Sequence, residues 1–387
     1  MLTAGRVSPR WRRALRRAGK AAAALLAALL VLVVALPSGR YVLRAAWVEA
    51  GILARRRPIA EVVADTAVSA RTRGKLELVL AARQFAADSV RLDAGRSFTQ
   101  YSPFHRDTLV LVLSAAPRDR LRLHTWWFPV VGRVPYKGYF DFGRATREAA
   151  RLADGGMDVY LRPASAFSTL GWFDDPVLTT TLRLDSLDLT DTVIHELLHN
   201  TFYAPGQAVF NESFANFVGM RGAQWFYSAR GDTAAVAELE RRWADERLLG
   251  AFWTRTYASL DSAFATYPSD SRADSLARIA ARDTVYGRMR RVLLAEVGPR
   301  LQVRDPRTLV DTKFDNALLL ARRIYLTDLD LFEGVFAREA RDLPRTIARV
   351  TALAEAGPED PYAAVREWLA AGDSVGDGVA RAERERR

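Results

Sequence analysis

Two of the chain's four histidines stand four positions apart in the stretch TDTVIHELLHNTFY, residues 190–203. The apolar residues around them recur at helical spacing, and Asp191 or Thr190 is a candidate helix cap. On such a helix His195 and His199 project from the same face, one turn apart. Two imidazoles in this arrangement can share one metal ion, so the stretch predicts a metal-binding helix.

Glu196 follows the first of these histidines, which completes an HExxH pattern. Its side chain is expected to point near the shared ion rather than at it, where it can take a proton from a bound water molecule. HExxH is the motif of the zinc peptidases. The alternative is an amphipathic helix whose two histidines are hydrogen-bonded in the core.

A catalytic zinc site needs a third protein ligand and an open fourth position. Glu212 is the candidate, because it lies in the first turn of a second helical stretch, FNESFANFVGMRGAQWFY, shortly after the APG sequence that ends the first helix. The prediction is one Zn²⁺ per chain, held by His195, His199 and Glu212. Asn216, one turn further on, is a candidate hydrogen-bond partner for a ligand histidine. Glu212 and Asn216 can also be read as ordinary polar residues of a helix.

The formal charge of +11 suggests nucleic-acid binding until the charges are located. Residues 1–57 hold twelve basic residues and one acid, so residues 58–387 balance to zero. The predicted folded part is therefore not basic, and no nucleic-acid partner is expected. Because the chain has no cysteine, disulfides, thiolate metal ligands and cysteine nucleophiles are excluded.

The N-terminus has the pattern of a membrane or targeting segment. Residues 1–20 form a basic arm, and residues 21–37 are an almost uninterrupted apolar run, so a transmembrane anchor or a signal segment is expected. Under the positive-inside rule the arm stays in the cytoplasm. The prediction is a single-pass protein of the bacterial inner membrane, with its catalytic domain on the periplasmic side.

The rest of the chain predicts an α+β fold that is mainly helical. Helical patterns over 41–105 indicate a neck, and residues 106–370 form the predicted catalytic domain. That domain is strand-rich over 106–187, with an edge strand at 176–184, and helical over 190–370. Residues 371–387 are expected to be a disordered tail.

HExxH followed by Asn-Glu-x-Phe-Ala resembles the gluzincin peptidases. The chain resembles more closely a bacterial family of putative aminopeptidases, and the shared stretches extend from about residue 50 to 340. They are RRRPI (55–59), VVGRVPYKGYFD (130–141), STLGWFDDP (168–176), HELLHNTFY, FNESFANFVG (210–219) and FDNALLLARRIY (314–325). Some members carry a lipid-modified cysteine after the apolar run. This chain reads PSGRY there, which excludes lipid attachment.

The resemblance implies that His195, His199 and Glu212 are zinc ligands and that Glu196 is the catalytic base of a membrane-anchored, zinc-dependent aminopeptidase acting on peptides. The tetrahedral oxyanion needs a further donor, for which Tyr325 is the first candidate, followed by Tyr136 and Tyr227.

Two questions stay open at this point. Asp174 or Asp175 is placed either to hold the free ammonium of a substrate or to make a turn with Pro176. A non-catalytic, membrane-anchored metal-binding scaffold is the alternative function. A di-iron site needs a second ExxH, and the sequence argues against one, because His105 and His124 have no glutamate three residues before them.

Overall fold

A computed structural model describes residues 20, 37–104, 108–128, 132–164 and 176–384. Within these ranges the protein is mainly helical, with short strands concentrated in its first half. The helices are α1 (Pro37–Ala54), α2 (Ile59–Ala64), α3 (Ala70–Phe85), α4 (Phe142–Asp154), α5 (Ser186–Thr201), α6 (Ala208–Ser228), α7 (Thr233–Ala265), α8 (Arg272–Val292), α9 (Pro306–Val310), α10 (Asn316–Leu326), α11 (Leu329–Arg338), α12 (Leu343–Ala356) and α13 (Pro361–Arg384).

The strands of the described ranges form three small sheets. They are β1 (Arg57–Pro58), β2 (Gln100–Ser102), β3 (Val110–Pro117), β4 (Trp126–Phe128), β5 (Gly132–Val134), β6 (Lys137–Tyr139), β7 (Met157–Ala164) and β8 (Val177–Leu178). Their orders are β1-β2-β8, β6-β3-β7 and β4-β5. The edge strand expected over 176–184 is confined to β8, and a 3-10 turn at Thr181–Arg183 follows it.

Among the described strands, the longest pairing joins β3 and β7. The two strands run antiparallel in register from Val110 opposite Ala164 to Pro117 opposite Met157. Since β6 pairs with the other side of β3, β7 lies at the edge of this sheet among the described strands. Helix α10 packs against both β3 and β7. The small sheet thereby meets the helical part of the protein along this helix.

Helix α6 lies at the centre of the largest hydrophobic core. Its Phe210, Phe214 and Phe217 are fully buried, and all three rings contact Phe332 of α11. A helix with apolar residues around most of its circumference must be covered on several sides. Helices α3, α5, α11 and α12 share this core. The helices of the predicted neck thus pack into the same core as the predicted catalytic helices.

The structure corrects the prediction of a transmembrane helix. Across the ranges given above, the protein has no helix with the length and apolar character needed to cross a bilayer. Helix α1 carries Arg40, Arg44 and Glu49, charges that a spanning segment disfavours. The apolar run behind the prediction, residues 21–36, lies outside the described residues. Because no described helix can span a bilayer, the transmembrane part of the predicted fold class is wrong, and so is the localisation as a single-pass inner-membrane protein.

Candidate metal centre

Helix α5 begins earlier than the sequence analysis expects. Its N-cap is Asp185, whose side chain accepts a hydrogen bond from the backbone N–H of Asp188. The extra turn buries Leu189 in the core, and this burial favours a start before Thr190. Asp191 therefore lies inside the helix, one turn before His195, instead of capping it.

A tight turn brings the second helix back onto the first. Gly206 takes a positive φ of 79°, which favours glycine. The Asn211 side chain clamps the turn, since it donates to the Ala204 carbonyl at 2.8 Å and accepts from the Ala204 N–H at 2.9 Å. Helix α6 packs closely along α5 as a result, and Glu212 in its second turn faces the two histidines.

His195, His199 and Glu212 come together as the sequence analysis expects. One ligand atom from each lies within 4.8 Å of the others. The Nε2 atom of His195 is 3.5 Å from Oε2 of Glu212, and the Nε2 atom of His199 is 3.8 Å from Oε1. The two imidazole rings are nearly perpendicular, at 79°. These three side chains form a possible metal site with two nitrogen donors and one carboxylate.

The charges of the three groups balance one another. Burial opposes a charge on His195, but contact with Glu212 and the nearby carboxylates Glu196 and Asp191 raise its pKa to about 9. Burial and the charge on His195 lower the pKa of His199 to about 4. Burial acts to raise the pKa of Glu212, but the neighbouring cations outweigh it and lower that pKa. Without a metal, the site therefore holds one proton on His195, and a divalent cation can replace it.

Glu196 lies beside the metal site on α5. Its side chain is half-buried, and its negative charge contributes to the raised pKa of His195. The structure thus places a carboxylate close to the first histidine, in addition to the one that Glu212 supplies.

Two tyrosines and an arginine surround Glu212. Burial raises the pKa of Tyr325, and the negative charge of Glu212 raises it further. The pKa of Tyr136 is raised in the same way, mainly by burial and then by Glu212. Arg162 opposes both shifts, and its guanidinium carbon lies 5.8 Å from the centre of the Tyr325 ring. Tyr203, which is largely exposed, is near Tyr136. Both tyrosines beside Glu212 keep their protons at neutral pH and can act as hydrogen-bond donors.

Strand β7 and helix α10 run side by side to bring Arg162 and Tyr325 together. At one end, Asp158 of β7 accepts a hydrogen bond of 3.0 Å from the backbone N–H of Asn316. The four residue-to-residue steps of strand from Asp158 to Arg162 span about 13 Å. The nine steps of helix from Asn316 to Tyr325 span about 13.5 Å. The two segments cover equal lengths, so the two side chains meet at the other end, next to Glu212.

Two residues singled out by the sequence analysis have other partners. Tyr227 donates to the Ser186 carbonyl at 2.9 Å at the start of α5, so it stabilises that helix end. The Asn216 amide donates to Glu246 at 2.9 Å and to the Tyr325 carbonyl at 3.3 Å. Asp174, Asp175 and His105 lie outside the described residues.

Three residues of this region are not predicted from the sequence: Arg162, Tyr203 and the position of Asp191 inside α5. No local pattern marks Arg162, because it reaches Glu212 only through the sheet. Tyr203 stands four positions after His199, and that spacing is a signal that could have indicated it.

Comparison with known proteins places the chain in a family. A model of the family described as Putative aminopeptidase matches residues 40–364. No curated protein and no solved structure matches the chain. The matched region includes both helices of the possible metal site, strand β7 and helix α10. Since the match covers most of the sequence, the chain belongs to the putative aminopeptidase family.

Proposed function

We propose that the protein is a zinc-dependent peptidase whose metal ligands are His195, His199 and Glu212. Two ligands of a tetrahedral zinc ion, each about 2.05 Å from it, are separated by about 3.3 Å. The distances of 3.5 and 3.8 Å from Glu212 to the two imidazoles are close to this value. This agreement is the observation that carries the proposal. Two histidines and one glutamate also form a zinc-peptidase ligand set that keeps a fourth position open.

In this proposal Glu196 is the general base. His195, His199 and Glu212 would hold the zinc ion, whose chemistry would be to activate a water molecule and to polarise the carbonyl of the scissile bond. Glu196 takes the proton from the water and later returns it to the leaving amine. Its position next to His195, outside the ligand set, supports this role.

Tyr325 is the proposed donor to the oxyanion, and Tyr136 is the second candidate. Tyr325 keeps its hydroxyl proton at neutral pH, because burial and the charge of Glu212 raise its pKa. The Arg162 guanidinium lies beside the Tyr325 ring and adds positive charge near Glu212. A donor already in place when negative charge develops stabilises the transition state.

The proposed substrate is a peptide that is cleaved at its amino-terminal end. The family description supports a peptidase of this type. Strand β7 supports an extended substrate, because it lies at a sheet edge among the described strands and carries Arg162. An edge strand can pair with the backbone of a peptide.

Glu196→Gln tests the proposal. We expect the variant to keep one zinc ion per chain by elemental analysis and to lose about 10²- to 10⁴-fold in peptide hydrolysis. Glu355→Gln, which changes an exposed glutamate on α12, is the control and should match the wild type. Cleavage of free peptides but not of N-acetylated ones would support amino-terminal action. A wild-type protein that binds zinc but cleaves neither kind would overturn the proposal and favour a metal-binding scaffold.

A further inference from the structure

Asp191 and His195 contact the same point on the neighbouring helix. A Cβ atom built on Gly219 of α6 would lie 2.3 Å from Oδ1 of Asp191 and 3.0 Å from Cβ of His195. Helical side chains lean toward the N-terminus of their own helix. The His195 ring therefore leans over the turn of α5 that carries Asp191, and both side chains lie between α5 and α6.

The Asp191 carboxylate has an unused acceptor atom at this position. Its Oδ1 is buried and has no hydrogen-bond partner in the described part of the chain. A buried carboxylate oxygen without a partner is costly, so such an atom in a folded protein calls for an explanation. His195 is the nearby group that can supply a donor. The charge of His195 affects the pKa of Asp191, and the charge of Asp191 affects the pKa of His195.

His195 has one ring nitrogen left for such a bond. Its Nε2 faces Glu212, on the side of the proposed metal. The other nitrogen, Nδ1, carries a proton when Nε2 binds a metal. Histidine ligands almost always donate this proton to a carboxylate, a carbonyl or water. The Asn216 amide group donates instead to Glu246 and to the Tyr325 carbonyl.

We propose that Asp191 is a positioning residue of the metal site, which accepts the Nδ1–H of His195 and so fixes the tautomer and orientation of that ring. The inference rests on the proposed function in that it takes His195 as a ligand. It also explains why a glycine stands at position 219, because a side chain there would displace the Asp191 carboxylate from the His195 ring.

Zinc affinity, measured by competition with a chromogenic chelator, is the first test. Asp191→Ala should weaken zinc binding by about 10- to 100-fold. Asp191→Asn keeps an oxygen acceptor without the charge, so its zinc affinity should fall by a smaller factor. The matched control is Glu246→Gln, which alters a second carboxylate near Asp191 that bonds Asn216 and Arg304 instead. It should bind zinc as the wild type does. Wild-type affinity in both Asp191 variants would overturn the proposal.

Gly219→Ala and Gly222→Ala separate this role from general crowding of the helices. A Cβ at Gly222 would meet Cγ2 of Ile194 at 2.7 Å, so both substitutions crowd the α5–α6 contact. Only the one at Gly219 reaches Asp191. We expect both variants to be less stable in urea and only Gly219→Ala to lose zinc affinity. Equal zinc affinities in the two variants would contradict the proposal.

NMR of the ¹⁵N-labelled histidines provides a readout that does not depend on metal or activity. With only four histidines in the chain, the ring signals can be assigned by single substitutions. A hydrogen bond to Asp191 predicts a downfield, slowly exchanging Nδ1 proton on His195 that disappears in Asp191→Ala. An Nδ1 proton signal of His195 that is unchanged between the wild type and Asp191→Ala would overturn the proposal. If the wild type binds no zinc, the proposed function fails, while this signal still decides the role of Asp191.

Discussion

The Oε2 atom of Glu212 lies 3.5 Å from Nε2 of His195, although the two residues belong to different helices joined by a turn. The turn is held by the paired hydrogen bonds between Asn211 and Ala204. The position of the carboxylate is therefore set by backbone and amide contacts in which no metal takes part. A carboxylate held in place in this way lowers the entropy cost of binding an ion.

Replacing Glu212 by glutamine should remove most of the metal affinity. The amide has nearly the shape of the carboxylate but lacks its charge, so we expect zinc binding at least about 100-fold weaker than in the wild type. Chelator competition and elemental analysis measure this change. The exposed Glu355, changed to glutamine, serves as the control. Full zinc occupancy in Glu212→Gln would exclude the carboxylate as a ligand.

Replacing Tyr325 by phenylalanine should slow hydrolysis without removing metal. Loss of one oxyanion donor lowers kcat by about 10²- to 10³-fold, while KM changes little. Steady-state kinetics on a free peptide provide the measurement. Tyr227→Phe is a matched control, because that hydroxyl bonds Ser186 at the start of α5. If the two variants were equally active, Tyr325 would have no role in catalysis, and Tyr136→Phe would be examined next.

The metal-free protein should lose stability as the pH rises from 6.5 to 9. The pKa of His195 is raised from 6.5 to about 9, because contact with Glu212 and the nearby carboxylates outweigh the effect of burial. His195 holds its proton more tightly in the folded chain than in the unfolded chain, so stability falls with rising pH. The contribution of His195 is complete below pH 6.5 and lost as the pH passes 9.

Urea unfolding at several pH values, with and without zinc, measures this effect. Zinc replaces the proton on His195, so the decline between pH 6.5 and 9 should be smaller when zinc is present. A metal-free protein whose unfolding midpoint rises over this interval would show that the assigned proton is not there.

Asp245 supports a loop distant in sequence, and its loss should destabilise the protein. The buried carboxylate accepts backbone N–H groups from Gln302, Val303 and Arg304. Asp245→Asn turns one acceptor oxygen into a donor, which should cost about 2 kcal/mol or more of unfolding free energy. Urea denaturation measures it, with the exposed Asp261→Asn on the same helix as control. Equal stability of the two variants would contradict this role.

The helix that carries HExxH and the position of Glu212 beside it are predictable from the sequence, because both depend on local spacing. A four-residue interval places His195 and His199 on one face, and a short turn limits where the next helix can go. The start of α5 is less predictable. Several aspartates precede the histidines, and burial of Leu189, a tertiary effect, selects Asp185 as the cap.

Contacts that depend on the pairing of strands cannot be predicted from local spacing in the sequence. Arg162 and Tyr325 are far apart in the sequence, and their approach depends on the pairing of β7 with β3 and on the packing of α10. The transmembrane prediction fails for a different reason: it rested on an apolar run that precedes α1, whereas α1 itself carries charges along its length.

The equal lengths of β7 and α10 between their two points of contact limit how this protein can vary. One residue inserted between Asp158 and Arg162 would turn the arginine to the opposite face of the sheet. One residue inserted between Asn316 and Tyr325 would rotate the tyrosine by about 100° around the helix axis. Relatives that preserve the chemistry should therefore carry their gaps elsewhere, and length changes within either segment should mark lineages that have lost it.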